Sequence, residues 1–332
     1  MNDKVKPSES DWEAFGFGEA EPVLNGVDIM GMFQSYWNGE YYQPPVDLNG
    51  LAKSLNANPH HSSALQVKRN IISSSYKPNK WLGRADFTAW AMDFLVFANG
   101  YLEKVDNVLG NTLRFKHSPG KYMRRAKDGQ YLFVPNYYDR HEFKAGSIFH
   151  LKDYDVNQEF YGVPSYLAGL QSAWLNESAT LFRRRYYDNG THAGFIMYMN
   201  DALHKENDID AIRQALRDSK GPGNFRNMFL YAPGGKKDGI QILPIAEVQA
   251  KDEFFNIKNI SRDDVLASHR VPVELMSLVP NNTGGFGDVF KVSKVFNRNE
   301  LMPLQARFEE LNEWIGFEVV KFDEYKIEVT EE

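Results

Sequence analysis

The chain has 332 residues, 42% hydrophobic and 25% charged, and its formal net charge is −6 at pH 7. This length is enough for two domains or one large one. The absence of cysteine excludes disulfides, thiolate metal sites and cysteine nucleophiles, and the acidic balance argues against a protein that grips DNA through its phosphates.

The first 45 residues, 1–45, carry little regular periodicity but many aromatic side chains. This stretch is too aromatic for a simple disordered tail, so we expect an arm that lies on its own chain or on another copy. The amino terminus is polar and lacks the apolar segment of a signal peptide. No apolar run approaches the ~20 residues that a membrane helix needs, so no membrane partner is expected.

Three helices are predicted after the arm, at Leu48–Leu55, from Asn58-Pro59 onwards, and at Phe87–Ala98. Asp86 is the predicted N-cap of the third helix, and Asn99-Gly100 is its predicted stop. The sequence pattern then changes to short runs of apolar or alternating apolar and polar residues, separated by turn-forming dipeptides. These runs predict a meander of antiparallel strands, at Tyr101–Val105, Leu113–His117, Tyr131–Val134 and Ser147–Leu151.

A long helix is predicted at Pro164–Asp188, where apolar residues recur at three- and four-residue steps. Proline is tolerated in a first helical turn, and Gly190 can take the left-handed cap that ends the helix. At 1.5 Å per residue the helix would be about 37 Å long. Arg183–Arg185 fall in its last turns, where cations suit the helix dipole, which favours a structural or interface role over phosphate binding.

A small mixed module follows the long helix, with strands predicted at Gly194–Met199, Met228–Ala232 and Ile240–Leu243 and a helix starting at Asn207-Asp208. The last two strands are predicted to form a hairpin. Its exposed tip would carry Lys236 and Lys237, although two lysines most often mark only a solvated turn.

The sequence pattern again predicts helix at Ala246–His269. Ser261 and Asp264 could cap a fresh start, which leaves one helix or two open. The Gly-rich stretch Val279–Asp288 is turn-forming. After it come a helix at Lys291–Phe317, kinked or restarted near Pro303, and a terminal strand at Phe322–Val329.

Catalytic and nucleotide-binding motifs are missing from the sequence. The stretch Asn281–Gly287 lacks the Gly-Lys-Ser/Thr ending of a phosphate loop, which favours a flexible connection. His60 and His61 are adjacent and point to different faces of a helix, which is poor spacing for a metal pair. Two other classes stay open: a hydrolase that uses His60, His61 and carboxylates, and a monomeric or dimeric nucleic-acid-binding protein.

The order of the elements predicts a stalk with a head, because one long helix leads to the small module and a helical segment leads back. The apolar sides of such a stalk should pack against something large, such as identical copies of the same chain. A head-to-tail contact repeated by rotation closes a ring.

Five stretches together resemble the PBSX-type portal proteins of contractile-tailed phages and prophages, and the resemblance runs from about Phe17 to Phe317. The stretches are ANPHHSSALQVKRN (Ala57–Asn70), HSPGKYMRR (His117–Arg125), LNESATLFRRRYYDNGTHAGFIMYM (Leu175–Met199), SKGPGNFRNMFLYAPGGKKDGIQILPIAEVQAKDEFF (Ser219–Phe255) and HRVPVELMSLVPNNTGGFGD (His269–Asp288).

The resemblance implies an α+β portal-type fold with an α/β wing, a two-helix stem, a small α/β clip and little or no crown. The implied segments are an N-terminal arm at 1–45, the wing at 46–160, the first stem helix at 161–190, the clip at 191–245, the second stem helix at 246–272, a tunnel loop at 277–288, and a C-terminal helix returning through the wing at 289–332, with a short tail.

The implied function is a ring of about twelve subunits at one capsid vertex. Such a ring nucleates procapsid assembly with the major capsid and scaffold proteins, docks the terminase large subunit, passes double-stranded DNA in packaging and ejection, and joins the head-tail connector. It belongs to the virion and, during assembly, to the bacterial host cytoplasm. Catalytic residues, cofactors, metals and small-molecule substrates are not expected.

The resemblance also implies roles for particular residues. The tunnel loop would face DNA, the clip would meet partner proteins, and the stem would contact neighbouring subunits. The residues concerned are Asn281, Asn282, Thr283, Gly284 and Gly285 in the loop, Lys236 and Lys237 in the clip, and Trp174, Arg183, Arg184 and Arg185 in the stem.

Overall fold

A computed structural model describes residues 35–136, 139–188, 195–199, 228–231, 240–244, 250–276 and 288–325. These residues divide into two compact units. Unit 1 contains the described residues of 176–259, and unit 2 contains those of 35–175 and 260–325. Helices and strands are both present, largely in separate stretches of chain, as the predicted α+β class requires. No helix among the described residues is long and apolar enough to cross a bilayer.

Unit 2 begins with the three predicted helices, α1 (Leu48–Ser54), α2 (Pro59–Ser75) and α3 (Arg84–Phe97). The Asn58 side chain caps α2 by accepting hydrogen bonds from the backbone N–H groups of His60 and His61.

The prediction that Asp86 caps α3 is wrong. Gly83 occupies the N-cap of α3, and Asp86 lies in the first turn of the helix. The Asp86 carboxylate accepts a hydrogen bond from the backbone N–H of His117 at 3.0 Å, so a tertiary contact takes the place of the local cap. The helix ends at Ala98, which adopts the left-handed conformation with φ 55°, and Asn99-Gly100 already belong to the next strand.

The four predicted strands of the wing are confirmed, but they form two sheets instead of one meander. The first sheet has the order β2-β1-β6 and the second the order β3-β4-β5, and all pairs are antiparallel. The strands are β1 (Asn99–Asp106), β2 (Thr112–Ser118), β3 (Met123–Arg125), β4 (Tyr131–Phe133), β5 (His141–Glu142) and β6 (Ile148–Lys152). In the sequence, the strands of the second sheet lie between β2 and β6. In the first sheet, β2 and β6 pair with opposite edges of β1.

The two long helices that were predicted on either side of the small module are α4 (Gly169–Asp188) and α5 (Ala250–Ser268). Helix α4 begins five residues after the predicted Pro164. Helix α5 is one continuous helix, which decides between the one helix and the two that the sequence left open. Ser261 is buried in the middle of α5, and Asp264 accepts a hydrogen bond from the Ser172 hydroxyl at 3.0 Å.

The C-terminal helical stretch consists of α6 (Val289–Phe296), a π-helical turn at Asn297–Leu301, and α7 (Met302–Ile315). The predicted irregularity near Pro303 is confirmed, because the π-helical turn ends immediately before this proline. Such turns insert one extra residue per turn and are frequent at functional sites. Phe322 forms only an isolated bridge with Tyr76, and the rest of the predicted terminal strand lies mostly outside the described residues.

Unit 1 contains a three-stranded sheet of β7 (Phe195–Met199), β8 (Met228–Tyr231) and β9 (Ile240–Pro244). The predicted hairpin of β8 and β9 is wrong, because the strand order is β8-β7-β9. Strand β7 pairs parallel with β8 and antiparallel with β9. A parallel pair needs a crossover connection of a dozen or more residues, and the segment 200–227 is long enough to provide it.

An aromatic core holds unit 2 together, and it consists of Phe87, Trp90, Phe94 and Phe308. The Trp90 and Phe308 ring centroids are 4.8 Å apart in an edge-to-face arrangement. Trp90 is fully buried, and a Cβ atom on Gly100 would come within 2.8 Å of its indole. Helix α3 therefore lies at the centre of unit 2, between the first sheet and α7.

Candidate functional site

A hydrogen bond between two buried histidines joins helix α2 to the end of helix α5. His61 Nδ1 lies 2.8 Å from His269 Nε2, and His61 Nε2 lies 3.1 Å from the Ser54 hydroxyl. The Tyr166 ring packs on both imidazoles, with centroids 5.0 Å and 4.9 Å away. The sequence separates the two histidines by 208 positions, so this contact fixes a long-range arrangement within unit 2.

The hydrogen bonds determine which nitrogens carry protons. The Ser54 hydroxyl donates to the Leu51 carbonyl at 2.7 Å, so it accepts from the Nε2–H of His61. His61 Nδ1 is then an acceptor, and His269 Nε2–H donates to it. Burial lowers the pKa of His61 to about 4 and that of His269 to about 2, and for His269 the neighbouring His61 and Lys68 charges act in the same direction. Both imidazoles are neutral at neutral pH.

An ion pair lies beside the histidines. Lys68 on α2 contacts Glu300 in the π-helical turn, with 3.0 Å between Nζ and Oε2, and the two side chains are only 11% and 15% exposed. Burial lowers the pKa of Lys68, and the Glu300 carboxylate opposes this shift. Arg270, a non-glycine residue with φ 54°, brings its guanidinium within 3.4 Å of the other Glu300 oxygen. We call Ser54, His61, Lys68, His269 and Glu300 the buried polar cluster.

A cleft of about 260 Å³ opens beside this cluster. Lys68, His269, Arg270 and Glu300 line one part of it, and Arg307 lines another. Arg307 pairs with Asp153 at 3.3 Å and also donates to the Lys152 carbonyl. The cations of the cleft are therefore already matched by acidic partners from the same unit.

The buried polar cluster anchors the chain on both sides of residues 277–287. Before this segment, His269 and the buried Val271 precede a short 3-10 helix at Val273–Met276. Side chains of this 3-10 helix pack against the hydrophobic cluster that contains the aromatic core. After it, Asp288 caps α6 by accepting from the Lys291 backbone N–H at 3.1 Å. Glu300 lies beyond α6, inside the π-helical turn at Asn297–Leu301.

Helices α4 and α5 approach each other closely within each unit. In unit 2, a Cβ atom on Gly169 would lie 2.1 Å from the Ser268 hydroxyl oxygen, so only glycine fits at the start of α4. In unit 1, the Asn176 side-chain amide donates to the Lys258 carbonyl at 3.3 Å, and the Lys258 ammonium donates to the Thr180 hydroxyl at 2.9 Å.

Trp174 is 8% exposed and belongs to a buried cluster of unit 2 that includes Leu170 and Val163. Its predicted role at a subunit contact stays a prediction. Arg183 and Arg184 are exposed on α4. The side chain of Arg185, the clip lysines Lys236 and Lys237, and the loop residues Asn281, Asn282, Thr283, Gly284 and Gly285 lie outside the described residues.

The two adjacent histidines lie in different environments, as their spacing predicts. His60 is half-buried, whereas His61 is buried, neutral and hydrogen-bonded on both ring nitrogens. Across the described ranges, no three or more His, Asp or Glu side chains form a group that could hold a metal ion. The hydrolase hypothesis therefore gains no support from His61.

The comparisons with known proteins decide the family. A family model described as "Phage portal protein" matches residues 72–332. The chain is also 52% identical over 317 residues to the probable portal protein of Escherichia phage P2, covering 95% of this chain and 92% of that protein. The chain belongs to the phage portal protein family. A second portal relative, the probable portal protein of Haemophilus phage HP1, is 40% identical over 297 residues, 88% of this chain and 85% of its own length.

Solved structures show that the fold is the portal fold. The neck of an empty gene transfer agent particle contains a chain with a TM-score of 0.61 at 17% identity, covering 88% of this portal protein and 87% of that chain. An HK97 family phage portal protein from Corynebacterium diphtheriae gives a TM-score of 0.58 at 13% identity, with coverages of 82% and 94%. The predicted α+β portal fold is confirmed. The family is structural, not a family of enzymes.

Sequence reasoning missed four members of the buried polar cluster, Ser54, Lys68, His269 and Glu300. His61 and His269 each lie in one of the stretches that carry the family resemblance, but the sequence alone does not show that the two meet. Neither helical periodicity nor local spacing can report a contact between residues so far apart in the chain.

Proposed function

We propose that copies of this portal protein form a closed ring of about twelve subunits at one capsid vertex, the channel for double-stranded DNA in packaging and ejection. The observation that carries this proposal is the near full-length similarity to portal proteins of two phages, at 52% and 40% identity. A structural role also accords with the buried polar cluster, whose neutral histidines join α2 to the end of α5.

The same proposal covers the partners of the ring. The ring nucleates procapsid assembly with the major capsid and scaffold proteins, docks the terminase large subunit and later joins the head-tail connector. It is part of the virion and assembles in the bacterial host cytoplasm. Residues 191–245, with Lys236 and Lys237, would form the clip that meets these partners, and Arg183–Arg185 on α4 would contact a neighbouring subunit.

The DNA-facing element in this proposal is the segment 277–288, with its Asn281–Gly285 sequence. Asn281–Gly285 carry no charge, so they could touch passing DNA without holding it. The anchoring of both flanks by the buried polar cluster supports this assignment, because a loop that meets moving DNA needs fixed ends. At −6 per chain, a ring is strongly acidic overall, which favours sliding of DNA over tight binding.

Native mass tests the proposal directly. Light scattering of the purified protein, with electron microscopy of the same fraction, should show rings with a central hole, and twelve copies of the 38.1 kDa chain would weigh about 457 kDa. Some rings need scaffold protein to assemble, so the measurement is repeated with scaffold present. A strict monomer or dimer under both conditions, with strong and salt-sensitive DNA affinity, would favour the nucleic-acid-binding alternative.

A further inference from the structure

One exposed face runs along the whole C-terminal helical stretch from α6 to α7. At its start the face is basic, with Lys291, Lys294 and Arg298 at steps of three and four residues. We call these three residues the basic stripe. The middle of the face is uncharged, and its end is acidic. The acidic residues are Glu309, Glu310 and Glu313, all exposed.

This charge order is the reverse of what an isolated helix prefers. The N-terminal end of a helix carries partial positive charge and the C-terminal end partial negative charge, so carboxylates suit the start and cations suit the end. Lys291 and Lys294 lie in the first two turns of α6, and the glutamates lie in the last turns of α7. Residues that oppose a local structural preference, without a stabilising contact in the same chain that compensates, are candidates for a functional role.

The basic stripe is available to a partner. The Lys291 side chain is 84% exposed and forms a surface ion pair with Asp288, with 3.0 Å between Nζ and Oδ2. Lys294 and Arg298 are exposed too. Glu300, the nearest acidic residue after the stripe, points instead to Lys68 in the buried polar cluster. Val295, which lies between the three cations in the sequence, is exposed as well. Among the described residues, Asp288 is the carboxylate that pairs with the stripe.

We propose that Lys291, Lys294 and Arg298 contact the phosphate backbone of double-stranded DNA in the channel, an inference that rests on the proposed portal function. The stripe belongs to the first helix after residues 277–287, the segment assigned to the channel. Its three cations span about 10.5 Å along the helix, roughly the axial rise of three nucleotides of one DNA strand. Rotation repeats the stripe in every subunit, so a ring carries a belt of such sites.

The symmetry of a ring favours DNA over a neighbouring subunit as the partner. Copies related by rotation place identical residues at the same height, so the basic stripes of neighbours lie level with one another. The acidic end of the same face starts roughly 20 Å further along the helix and is out of reach of a neighbour's stripe at that level. Like charges at one height repel unless an anion lies between them, and DNA is the polyanion that passes through the channel.

The test compares two variants with the same change of charge. The stripe variant carries Lys291→Gln, Lys294→Gln and Arg298→Gln. The control carries Arg114→Gln, Lys116→Gln and Lys144→Gln, which replace exposed residues of the wing. Binding of a short fluorescent duplex to assembled rings is measured by anisotropy over a series of salt concentrations. The logarithmic salt slope should fall by about 0.9 for each lost phosphate contact in the stripe variant and stay unchanged in the control.

Three outcomes separate the possibilities. Equal salt slopes in the two variants would overturn the inference and leave the portal function intact. Loss of the ring in the stripe variant alone would show that the stripe contacts another subunit, which also overturns it. If the wild-type chain forms no ring with or without scaffold protein, the ring proposal fails, and the same binding series on the smaller species still tells whether the stripe contacts phosphate. Melting temperature is the folding check, and it should not fall in the stripe variant, because the removed cations oppose the helix dipole.

Discussion

The aromatic core and the buried polar cluster occupy the same unit, yet they are stabilised by different physics. Phe87, Trp90, Phe94 and Phe308 exclude water from a large apolar surface, a contribution that depends on area and little on direction or pH. In the polar cluster, each group is stable only while its particular partner is in place. The core therefore supplies stability, whereas the cluster fixes one arrangement of α2, the end of α5 and the π-helical turn.

The difference matters because the two regions support different parts of the protein. The core holds α3, α7 and the first sheet together. The polar cluster includes His269, which precedes the segment 277–287 in the chain, and Glu300, which follows it beyond α6. A change there should alter the position of the loop at a smaller cost in free energy than a change in the core.

Trp90→Ala should have the largest effect on stability. Removal of a fully buried tryptophan leaves a cavity between α3, the first sheet and α7, and such truncations cost about 3–5 kcal/mol of unfolding free energy. The cost should be the same at pH 7 and pH 5, since no titratable group is involved. Urea unfolding followed by circular dichroism measures both values.

Trp314→Ala is the matched control for this prediction. The same side chain is removed, but Trp314 is 40% exposed, so its loss should cost about 1 kcal/mol or less. Equal costs for the two substitutions would show that the aromatic core does not carry the stability assigned to it.

The core could largely be predicted from the sequence, and the polar cluster could not. Apolar periodicity predicted α2 and α3 within a few residues, and alternation predicted the four main strands of the wing, because these signals are local. The Asn58 cap was predictable for the same reason. The error at Asp86 and the false hairpin of β8 and β9 share one cause: a distant partner, His117 in one case and β7 in the other, replaced the local one. His61 and His269 are the extreme example of such pairing.

Acidification should selectively destabilise the polar cluster. Each imidazole has an unfolded pKa near 6.5, and burial lowers the folded pKa of His61 to about 4 and that of His269 to about 2. Between pH 6.5 and pH 4 the unfolded chain binds protons that the folded chain excludes. The stability contribution is therefore complete above pH 6.5 and is lost as the pH falls, by on the order of 3 kcal/mol for His61 by pH 4.

The difference between two variants isolates this contribution from other acid effects. His61→Asn keeps a polar side chain but cannot titrate, so its unfolding free energy should fall less steeply than that of the wild type between pH 7 and pH 4.5. His141→Asn, which changes an exposed histidine, should keep the wild-type slope. Parallel curves for His61→Asn and the wild type would mean that the buried pair already binds protons in the folded state.

Glu300→Gln should have the smallest effect of the three on stability and the most local one. It leaves the Lys68 ammonium buried without its counter-charge, and breaking such a partly buried pair should cost about 2 kcal/mol. Glu310→Gln, which removes a surface partner of Arg307, should cost well under 1 kcal/mol.

Adding Lys68→Met to Glu300→Gln should recover part of the lost unfolding free energy, since the unpaired charge is then gone, and the double-mutant cycle gives the coupling energy. If the double variant instead loses the sum of both single costs, the ion pair is not coupled, and the anchoring of the 277–287 segment would depend on the histidine pair alone.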